Sequence, residues 1–228
     1  MSDTDRIVIL GGHGKIALLA APRLTAAGFA VDSVIRNEDH RADVREAGAN
    51  PVVLDIETAS EDDLARQFTG AKAVVFSAGA GGGDPQRTHA VDYEAAVRAM
   101  KAAQQVGVEK FVMVSYVTAG IDVDRLEEDN SFFPYAKAKH DADAHLRETE
   151  LDYTILGPGR LTLDPASERI QVVDGHGAAE GRELTDEEQV TSRDNVAAVI
   201  THVLREGAAG RETVNFFDGS TPIADALR

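Results

Sequence analysis

The chain has 228 residues, 43% of them hydrophobic, and it carries 39 acidic against 23 basic side chains, a formal net charge of −16. A charge of this sign repels nucleic acid and anionic membranes, and no run approaches the ~20 apolar residues that span a bilayer, so we expect neither partner. The lack of cysteine excludes disulfides and thiolate chemistry, and with no export signal at the polar N-terminus we expect a cytoplasmic protein.

Short apolar runs alternate with longer amphipathic runs through the first two thirds of the chain. The apolar runs are dense in Val, Ile, Leu and Phe with little alternation, which is typical of strands covered on both faces. Strands are predicted at RIVIL (6–10), AVDSVIR (30–36), PVVLDI (51–56), KAVVFSAG (72–79), KFVMVSY (110–116) and DYTILG (152–157). Helices are predicted between them at 15–28, 39–48, 60–68, 92–107 and 132–146, with Ser60 as N-cap of the third. This order predicts an α/β doubly wound parallel sheet, the Rossmann fold, with helices on both faces.

The last third of the chain is less regular. RIQVV (169–173) and TVNFF (213–217) are predicted strands, and residues 191–207 and 221–227 are predicted helices. We expect them to be small C-terminal additions near the edge of the sheet. The chain is then a single domain over residues 1–228, in which residues 157–228 contribute edge and substrate-side elements.

A glycine turn joins the first predicted strand to the first predicted helix in the pattern G-x-x-G-x-x-A. Side chains at the two glycines would obstruct a pyrophosphate, and the start of the helix offers free N–H groups and a positive dipole end. The turn therefore predicts dinucleotide binding. His13 either contacts a phosphate or faces solvent, and Lys15 either assists the phosphates or faces water. The residues expected to contact the cofactor here are Gly11, His13, Gly14, Lys15 and Ile16.

The end of the second predicted strand indicates which dinucleotide is bound. An acidic residue there favours NAD through the ribose 2′-hydroxyl, whereas an arginine accommodates the 2′-phosphate of NADP. This strand ends in Arg36, Asn37 follows, and Arg41 is a candidate second cation. Glu38 and Asp39 oppose an anionic group at this position. We expect NADP, with NAD as the alternative.

The third and fourth predicted strands also end in residues that fit a nucleotide. Asp55 is placed to accept a hydrogen bond from the adenine amino group, and Ile56 follows it. Three small residues at the end of the fourth strand would let a cofactor cross the sheet edge, namely Ser77, Ala78 and Gly79. A flexible glycine-rich loop over 78–85 then lies near the crevice at the carboxyl ends of the strands.

These segments together resemble the short-chain dehydrogenase/reductase superfamily, and more closely its atypical NmrA-like and flavin/biliverdin-reductase-like members. The resemblance covers nearly the whole chain and is most specific from FVMVS (111–115) through LDYTILGPG (151–159). It implies a Rossmann fold, binding of NADP or NAD, cofactor contacts at Pro158 and Gly159, and no metal. It implies no known substrate. The other matching segments are GGHGKIA (11–17), VIRN (34–37), LDIE (54–57), HAVDYEAAVRAMKAAQQVGVEKFVMVS (89–115), TSRDNVAAVI (191–200) and GSTPIADAL (219–227).

The resemblance also implies a catalytic set. Tyr135 and Lys139 match the superfamily's Y-x-x-x-K, and Ser115 matches its catalytic serine. In these roles Tyr135 exchanges a proton with the substrate oxygen, Lys139 favours the phenolate, and Ser115 orients the carbonyl. Residues four apart share one helix face, so Tyr135 and Lys139 can both face the cofactor.

We therefore expect an NADP(H)-binding oxidoreductase that reduces a small carbonyl, quinone or flavin-like substrate. Three departures from the catalytic pattern support an alternative, a non-catalytic NADP(H)-sensing regulator of the NmrA-like type. Ser77 stands where asparagine is frequent, Asp92 is nearest to the position of a relay asparagine, and Gly157 stands where many relatives carry arginine.

The run KHDADAH (139–145) raises the question of a metal site. Asp141 and His145 are four residues apart, but His140 and His145 are five apart, and no third ligand is close in sequence. We expect no metal. We interpret His140, Asp141, Asp143 and His145 as a solvated helix face.

Overall fold

The computed structural model describes residues 5–81, 84–179 and 181–228, so Gly82 and Gly83 of the predicted glycine-rich loop lie outside the described residues. The strands are β1 (Arg6–Leu10), β2 (Ala30–Ile35), β3 (Asn50–Val53), β4 (Ala73–Phe76), β5 (Lys110–Val114), β6 (Asp152–Pro158), β7 (Arg160–Thr162), β8 (Arg169–Val173), β9 (Val190–Ser192), β10 (Glu212–Asp218) and β11 (Thr221–Pro222). The helices are α1 (Lys15–Ala26), α2 (Arg41–Glu46), α3 (Glu61–Phe68), α4 (Pro85–Thr88), α5 (Ala96–Val106), α6 (Phe133–Glu148), α7 (Arg193–Glu206) and α8 (Ile223–Ala226).

Most of the strands form one sheet in the order β11-β8-β10-β6-β5-β4-β1-β2-β3. Neighbours from β10 to β3 are parallel, while β8 pairs antiparallel with both β10 and β11. The strands β7 and β9 form a separate parallel pair. The order β3-β2-β1-β4-β5-β6 is that of the doubly wound nucleotide-binding sheet, which confirms the predicted fold class. The strand order reverses between β1 and β4, where such sheets bind ligands.

The sheet separates two apolar layers. On one face α1, α2, α7 and α8 pack around buried side chains such as Leu24 and Val203, and on the other α3, α5 and α6 pack around Phe68 and Leu146. Because both faces are covered, β4 and β5 are buried along their whole length, as their unalternating sequences predict. Among the described residues, no helix has the length and apolar character that crossing a bilayer requires.

The last third of the chain builds one side of this sheet. β10 pairs in parallel with β6, and α7 packs against α1. The predicted helix over 191–207 begins at Arg193, because Thr191 and Ser192 belong to β9. The Ser192 hydroxyl accepts hydrogen bonds from the first N–H groups of α7, which sets the start of the helix.

Element ends near the expected crevice differ from the predicted ones. The Ser60 cap is confirmed, since its hydroxyl accepts from the Asp63 N–H in a capping box. The predicted helix over 92–107 begins at Pro85 and contains a π-helical segment, His89–Ala95, between α4 and α5. β5 ends at Val114, so Ser115 lies in the loop that follows. A π-helical segment widens one turn, and it places Asp92 at the crevice.

Candidate functional site

Two clefts meet at the carboxyl ends of the parallel strands. The first, about 320 Å³, is bordered by the segments that follow β1, β2, β3 and β4. The second, about 930 Å³, is bordered by the segments after β4 and β5 and by the start of α6. Ser77, Ala78 and Gly79 line both clefts. The clefts therefore join at the sheet edge, where the strand order reverses.

The glycine turn forms the floor of the first cleft. Gly11 has φ +79°, and a Cβ at this position would lie 2.6 Å from the Ala78 Cα, so only glycine fits. Gly14 precedes α1 and provides no side-chain cap, so the first N–H groups of α1 have no side-chain acceptor among the described residues. A bare backbone beside a positive helix end is a cradle for a pyrophosphate. The turn therefore fits the dinucleotide that its sequence predicts.

Arg36 provides the exposed positive charge of the first cleft. It is the first residue after β2, it lines the cleft, and within the described ranges its guanidinium has no hydrogen-bond partner. Asn37 lies outside the cleft, where its side chain accepts from the Asp39 N–H at 3.0 Å. Arg41 also lies outside, donating to the Pro51 carbonyl and the Glu38 carboxylate at 3.3 Å each. Of the three residues predicted here, Arg36 alone is placed to meet a ligand in this cleft.

Two histidine rings form one wall of the first cleft. The rings of His13 and His40 stack with centroids 3.6 Å apart, and His13 Nε2 lies 2.8 Å from a carboxylate oxygen of Asp43. Neither alternative for His13 anticipated this contact with Asp43 or the ring stack. Asp55 and Ile56 line the same cleft, and Asp55 accepts the backbone N–H two residues further on at 3.0 Å.

Besides Asn37, three residues assigned to the cofactor lie outside both clefts. Lys15 is exposed at the start of α1. Pro158 ends β6 and pairs in register with Phe216 of β10. The Gly159 N–H donates to the Thr191 hydroxyl at 2.9 Å. In this structure Pro158 and Gly159 therefore connect β6 to β9 and β10.

The second cleft brings Ser115, Tyr135 and Lys139 together with Asp92. The Lys139 ammonium donates to the Val114 carbonyl at 2.7 Å and lies 3.8 Å from Asp92 Oδ1. Both side chains are nearly inaccessible, at 2% and 1% exposure. Asp92 Oδ2 accepts the Ala80 N–H at 3.0 Å, whereas within the described chain Oδ1 has no hydrogen-bond donor. Lys139 and Asp92 thus form a buried ion pair beneath Tyr135.

Asp143 belongs to this buried network, so its interpretation as a solvated residue is wrong. The Ser115 hydroxyl donates to Asp143 Oδ2 at 2.5 Å, and Asp143 is 2% exposed. A spacing of four residues places Tyr135, Lys139 and Asp143 on one side of α6. This spacing was the feature of the sequence that could have predicted that Asp143 lies with the other two. His140 is half-buried, with Nδ1 3.1 Å from the Ala119 carbonyl oxygen. Within the described ranges, no group of three or more potential ligands is arranged to hold a metal ion.

Burial controls the acid–base state of this network. It raises the pKa values of Asp92 and Asp143 above the ordinary aspartate range, and the positive charge of Lys139 opposes both shifts. Burial also raises the pKa of Tyr135, again against the charge of Lys139. The charge of Lys139 lowers the pKa of the Tyr135 phenol, as predicted, but the effect of burial on this pKa is larger. Tyr135 is therefore held protonated, the form that can donate a proton.

An aromatic wall borders the mouth of the second cleft, formed by Tyr116, Phe132 and Tyr135. The centroid of the Tyr135 ring lies 5.2 Å from that of Phe132 and 5.6 Å from that of Tyr116. Phe132 and Tyr135 line the cleft, with Tyr116 packed against them. The three residues come from two loops and a helix, so their sequence spacing did not predict the cluster.

Comparison with known proteins agrees with this geometry. A family model described as NAD(P)H-binding matches residues 11–207. The chain belongs to this NAD(P)H-binding family. This membership confirms the NAD(P)-binding part of the resemblance that the sequence indicated.

Two relatives of this NAD(P)H-binding protein extend over nearly its whole length. The uncharacterized sugar epimerase YhfK of Bacillus subtilis is 30% identical over 225 residues, which cover 98% of this chain and 99% of that protein. A solved structure from Bacillus halodurans, provisionally named an NAD-dependent epimerase/dehydratase, superposes with a TM-score of 0.84 at 29% identity and covers 97% of this chain and 98% of its own.

A third structure is a short-chain dehydrogenase/reductase of Veillonella parvula in complex with NADP. It superposes with a TM-score of 0.70 at 20% identity over 96% of each chain. At this identity the likeness shows a shared fold.

Proposed function

We propose that the protein is an NADPH-dependent reductase of a small carbonyl, quinone or flavin-like substrate. The observation that carries the proposal is the position of Tyr135. This protonated phenol lines the larger cleft, above Lys139, and the larger cleft joins the glycine-turn cleft at Ser77–Gly79. A proton donor and a dinucleotide cradle thus open onto the same space, as carbonyl reduction requires.

The first cleft supplies the residues that would hold NADPH. Gly11 and Gly14 leave room for the pyrophosphate at the start of α1, and Arg36 would pair with the 2′-phosphate. Asp55 borders the same cleft as a hydrogen-bond acceptor for the adenine. When bound, the dinucleotide supplies the hydride that the reduction needs.

The residues of the second cleft handle the proton. As the substrate carbon gains the hydride, its oxygen gains negative charge and takes the proton from the Tyr135 hydroxyl. Lys139 stabilises the phenolate that remains, and the nearby Asp92 carboxylate keeps the ammonium in place. Ser115 can donate to a substrate oxygen only after its hydroxyl leaves Asp143, so the substrate must compete with that hydrogen bond.

The experiment that tests the reaction is steady-state oxidation of NADPH across carbonyls, quinones and flavins. Tyr135→Phe removes the proton donor and should lower kcat by about 10²–10⁴-fold while the Kd for NADPH changes little. Tyr153→Phe is the matched control, because Tyr153 is buried in the apolar layer around Phe68 and Leu146, lines neither cleft, and should retain turnover. Unchanged turnover in Tyr135→Phe, or no oxidation with any substrate class, would refute the proposed role.

The preference for NADP over NAD rests on Arg36. Arg36→Ala should weaken NADP binding by about 10- to 100-fold, because one charge-assisted hydrogen bond to a phosphate is lost, and should leave NAD binding nearly unchanged. Arg41→Ala removes one nearby positive charge that does not line the cleft, and it controls for a general change in potential. Titration calorimetry of the wild type and both variants with each dinucleotide measures the six affinities. Equal losses for NADP and NAD in Arg36→Ala would contradict the preference.

A second candidate function is a non-catalytic NADP(H) sensor. The observation that favours it is that Ser115 and Lys139 direct their polar atoms to Asp143, Val114 and Asp92. A sensor would bind NADP and NADPH with different affinities and change its binding to a partner protein without turnover. Equal affinities for the two redox forms, or turnover that depends on Tyr135, would exclude this function.

A further inference from the structure

We propose that the second cleft selects a planar ring system that carries no negative charge, and discriminates against phosphorylated or carboxylated substrates. The proposal deepens the reductase function above by naming a substrate class for the same cleft. It stands on the shape of the cleft, its aromatic wall and the charges around it.

The aromatic wall favours a flat substrate. Phe132 is 42% exposed at the cleft, although a large apolar side chain is normally covered, and the Tyr135 ring lies against it. Planar rings stack on such faces in offset or tilted arrangements. A cleft of about 930 Å³ has room for a fused system of two or three rings beside the reacting end of a cofactor.

The charges around the cleft oppose an anion. Three exposed carboxylates form an acidic rim, Asp84, Glu128 and Asp129. Among the described residues that line this cleft, Lys139 is the one cation, and it is buried beside Asp92. A phosphate or carboxylate would therefore meet like charges at the rim, and the described lining residues offer it no exposed cation.

The floor of the cleft offers a hydrogen-bond acceptor to an uncharged ligand. Asp92 lines the cleft at 1% exposure, and its Oδ1 accepts no hydrogen bond from the described residues. A buried acceptor of this kind favours a ligand that brings a donor, such as a ring N–H or hydroxyl. Nucleotide sugars and carboxylate-bearing tetrapyrroles do not fit this pattern, whereas an uncharged quinone or isoalloxazine ring does.

Riboflavin and flavin mononucleotide form a matched pair of probes, since they share one ring and differ by a phosphate. Quenching of flavin fluorescence measures their binding directly, with saturating NADP present to fill the first cleft. At low ionic strength we expect riboflavin to bind at least about 10-fold more tightly, and the ratio to shrink at about 0.5 M salt as the rim charges are screened.

Variants separate the wall from the rim. Glu128→Gln with Asp129→Asn should bring the two flavin affinities together by strengthening binding of the mononucleotide. Glu148→Gln with Glu150→Gln removes the same charge from exposed sites away from the cleft and should keep the ratio. Phe132→Ala should weaken both flavins by about 5- to 10-fold, because a stacking face is lost.

The outcomes distinguish this inference from the proposed reaction. If the mononucleotide binds as tightly as riboflavin, or if neither flavin binds, the charge selection is wrong even when NADPH oxidation depends on Tyr135. If riboflavin is preferred and the rim variant removes the preference, the inference holds even when no turnover is found.

Discussion

A few single residues of the two clefts have properties that other amino acids at the same positions would not provide. Gly11 provides a backbone conformation and a close approach that a side chain forbids. Arg36 provides a positive charge that has no ion-pair partner among the described residues. Lys139 has a carbonyl and a carboxylate as its partners, so its ammonium has little freedom to move. For single residues, ligand binding depends on which polar groups already have a hydrogen-bond partner in the protein and which are free to contact a ligand.

Gly11→Ala should abolish measurable dinucleotide binding and destabilise the protein. The new Cβ would overlap Ala78 and force residue 11 out of its positive φ, which disturbs the cradle itself. Gly28→Ala is the matched control, because Gly28 also has a positive φ, +94°, but a Cβ there meets no atom within 4 Å. We expect Gly28→Ala to cost about 1 kcal/mol of unfolding free energy and to retain binding. Calorimetry and urea unfolding measure both, and normal binding in Gly11→Ala would contradict the assigned cradle.

The helix α6 and the π-helical segment together build the part of the site that we propose handles the proton. α6 places Tyr135, Lys139 and Asp143 on one side, and the widened turn of the π-helical segment carries Asp92 against them. Two carboxylates then share one lysine in an environment from which water is excluded. A buried carboxylate without a cation costs free energy. We therefore expect the packing of α6 against the π-helical segment to depend on Lys139.

Lys139→Met should destabilise the fold by about 3–5 kcal/mol, because Asp92 and Asp143 would remain buried without a cation. Lys137→Met is the control on the same helix. Its ammonium is 58% exposed and pairs with Asp141 at the surface, so the expected loss is below about 1 kcal/mol. Urea unfolding monitored by circular dichroism compares the two variants. A similar effect of both substitutions would show that the buried charges are not coupled as described.

Asp143→Asn should change how stability depends on pH. Burial raises the pKa of Asp143, so the folded state binds this proton more tightly than the unfolded state. Its contribution to stability is therefore lost as the pH rises from about 4 through the raised value. Asparagine does not titrate and can still accept the Ser115 hydrogen bond, so the stability of the variant relative to wild type should increase with pH. Urea unfolding from about pH 4 to 8 measures the unfolding free energy of both proteins. If the value for the variant minus that for wild type falls as the pH rises, the pKa of Asp143 is not raised in the folded state.

The whole molecule combines a conventional sheet with an unusually acidic surface. The switch point between β1 and β4 places two clefts side by side at one edge of the sheet. The chain has a surplus of 16 negative charges, yet its site must admit an anionic dinucleotide. Local features meet that requirement, namely the start of α1 and Arg36, while the rest of the surface repels anions.

The folded state should become more stable as salt is added. Like charges at a net charge of −16 repel one another more strongly in the compact state, and salt screens that repulsion. We expect the urea midpoint of unfolding to rise between about 0.01 M and 0.5 M KCl, with most of the rise below about 0.15 M. Urea is uncharged and does not itself alter the screening. A midpoint that is constant or falls would show that surface repulsion does not limit stability.

The order of elements and the glycine turn could be read from the chain because their causes are local. Apolar runs without alternation specify strands covered on both faces, and Gly11 and Gly14 specify a bare turn before a helix. Ser60 likewise predicted the start of α3, because an N-cap acts on the residues directly after it. The parallel place of β10 beside β6 was not evident, because pairing between distant strands leaves little trace in either strand alone.

What the sequence by itself determined was the fold class, the dinucleotide turn and the candidate set of Ser115, Tyr135 and Lys139. Only the tertiary structure decided how these side chains are buried and which groups they bind. Asp143 was interpreted as solvated because its neighbours are polar, yet packing of α6 against the loop after β5 buries it on Ser115. The physical reason is that burial and hydrogen-bond partners belong to surfaces assembled from distant segments, whereas turns and periodicities belong to adjacent residues.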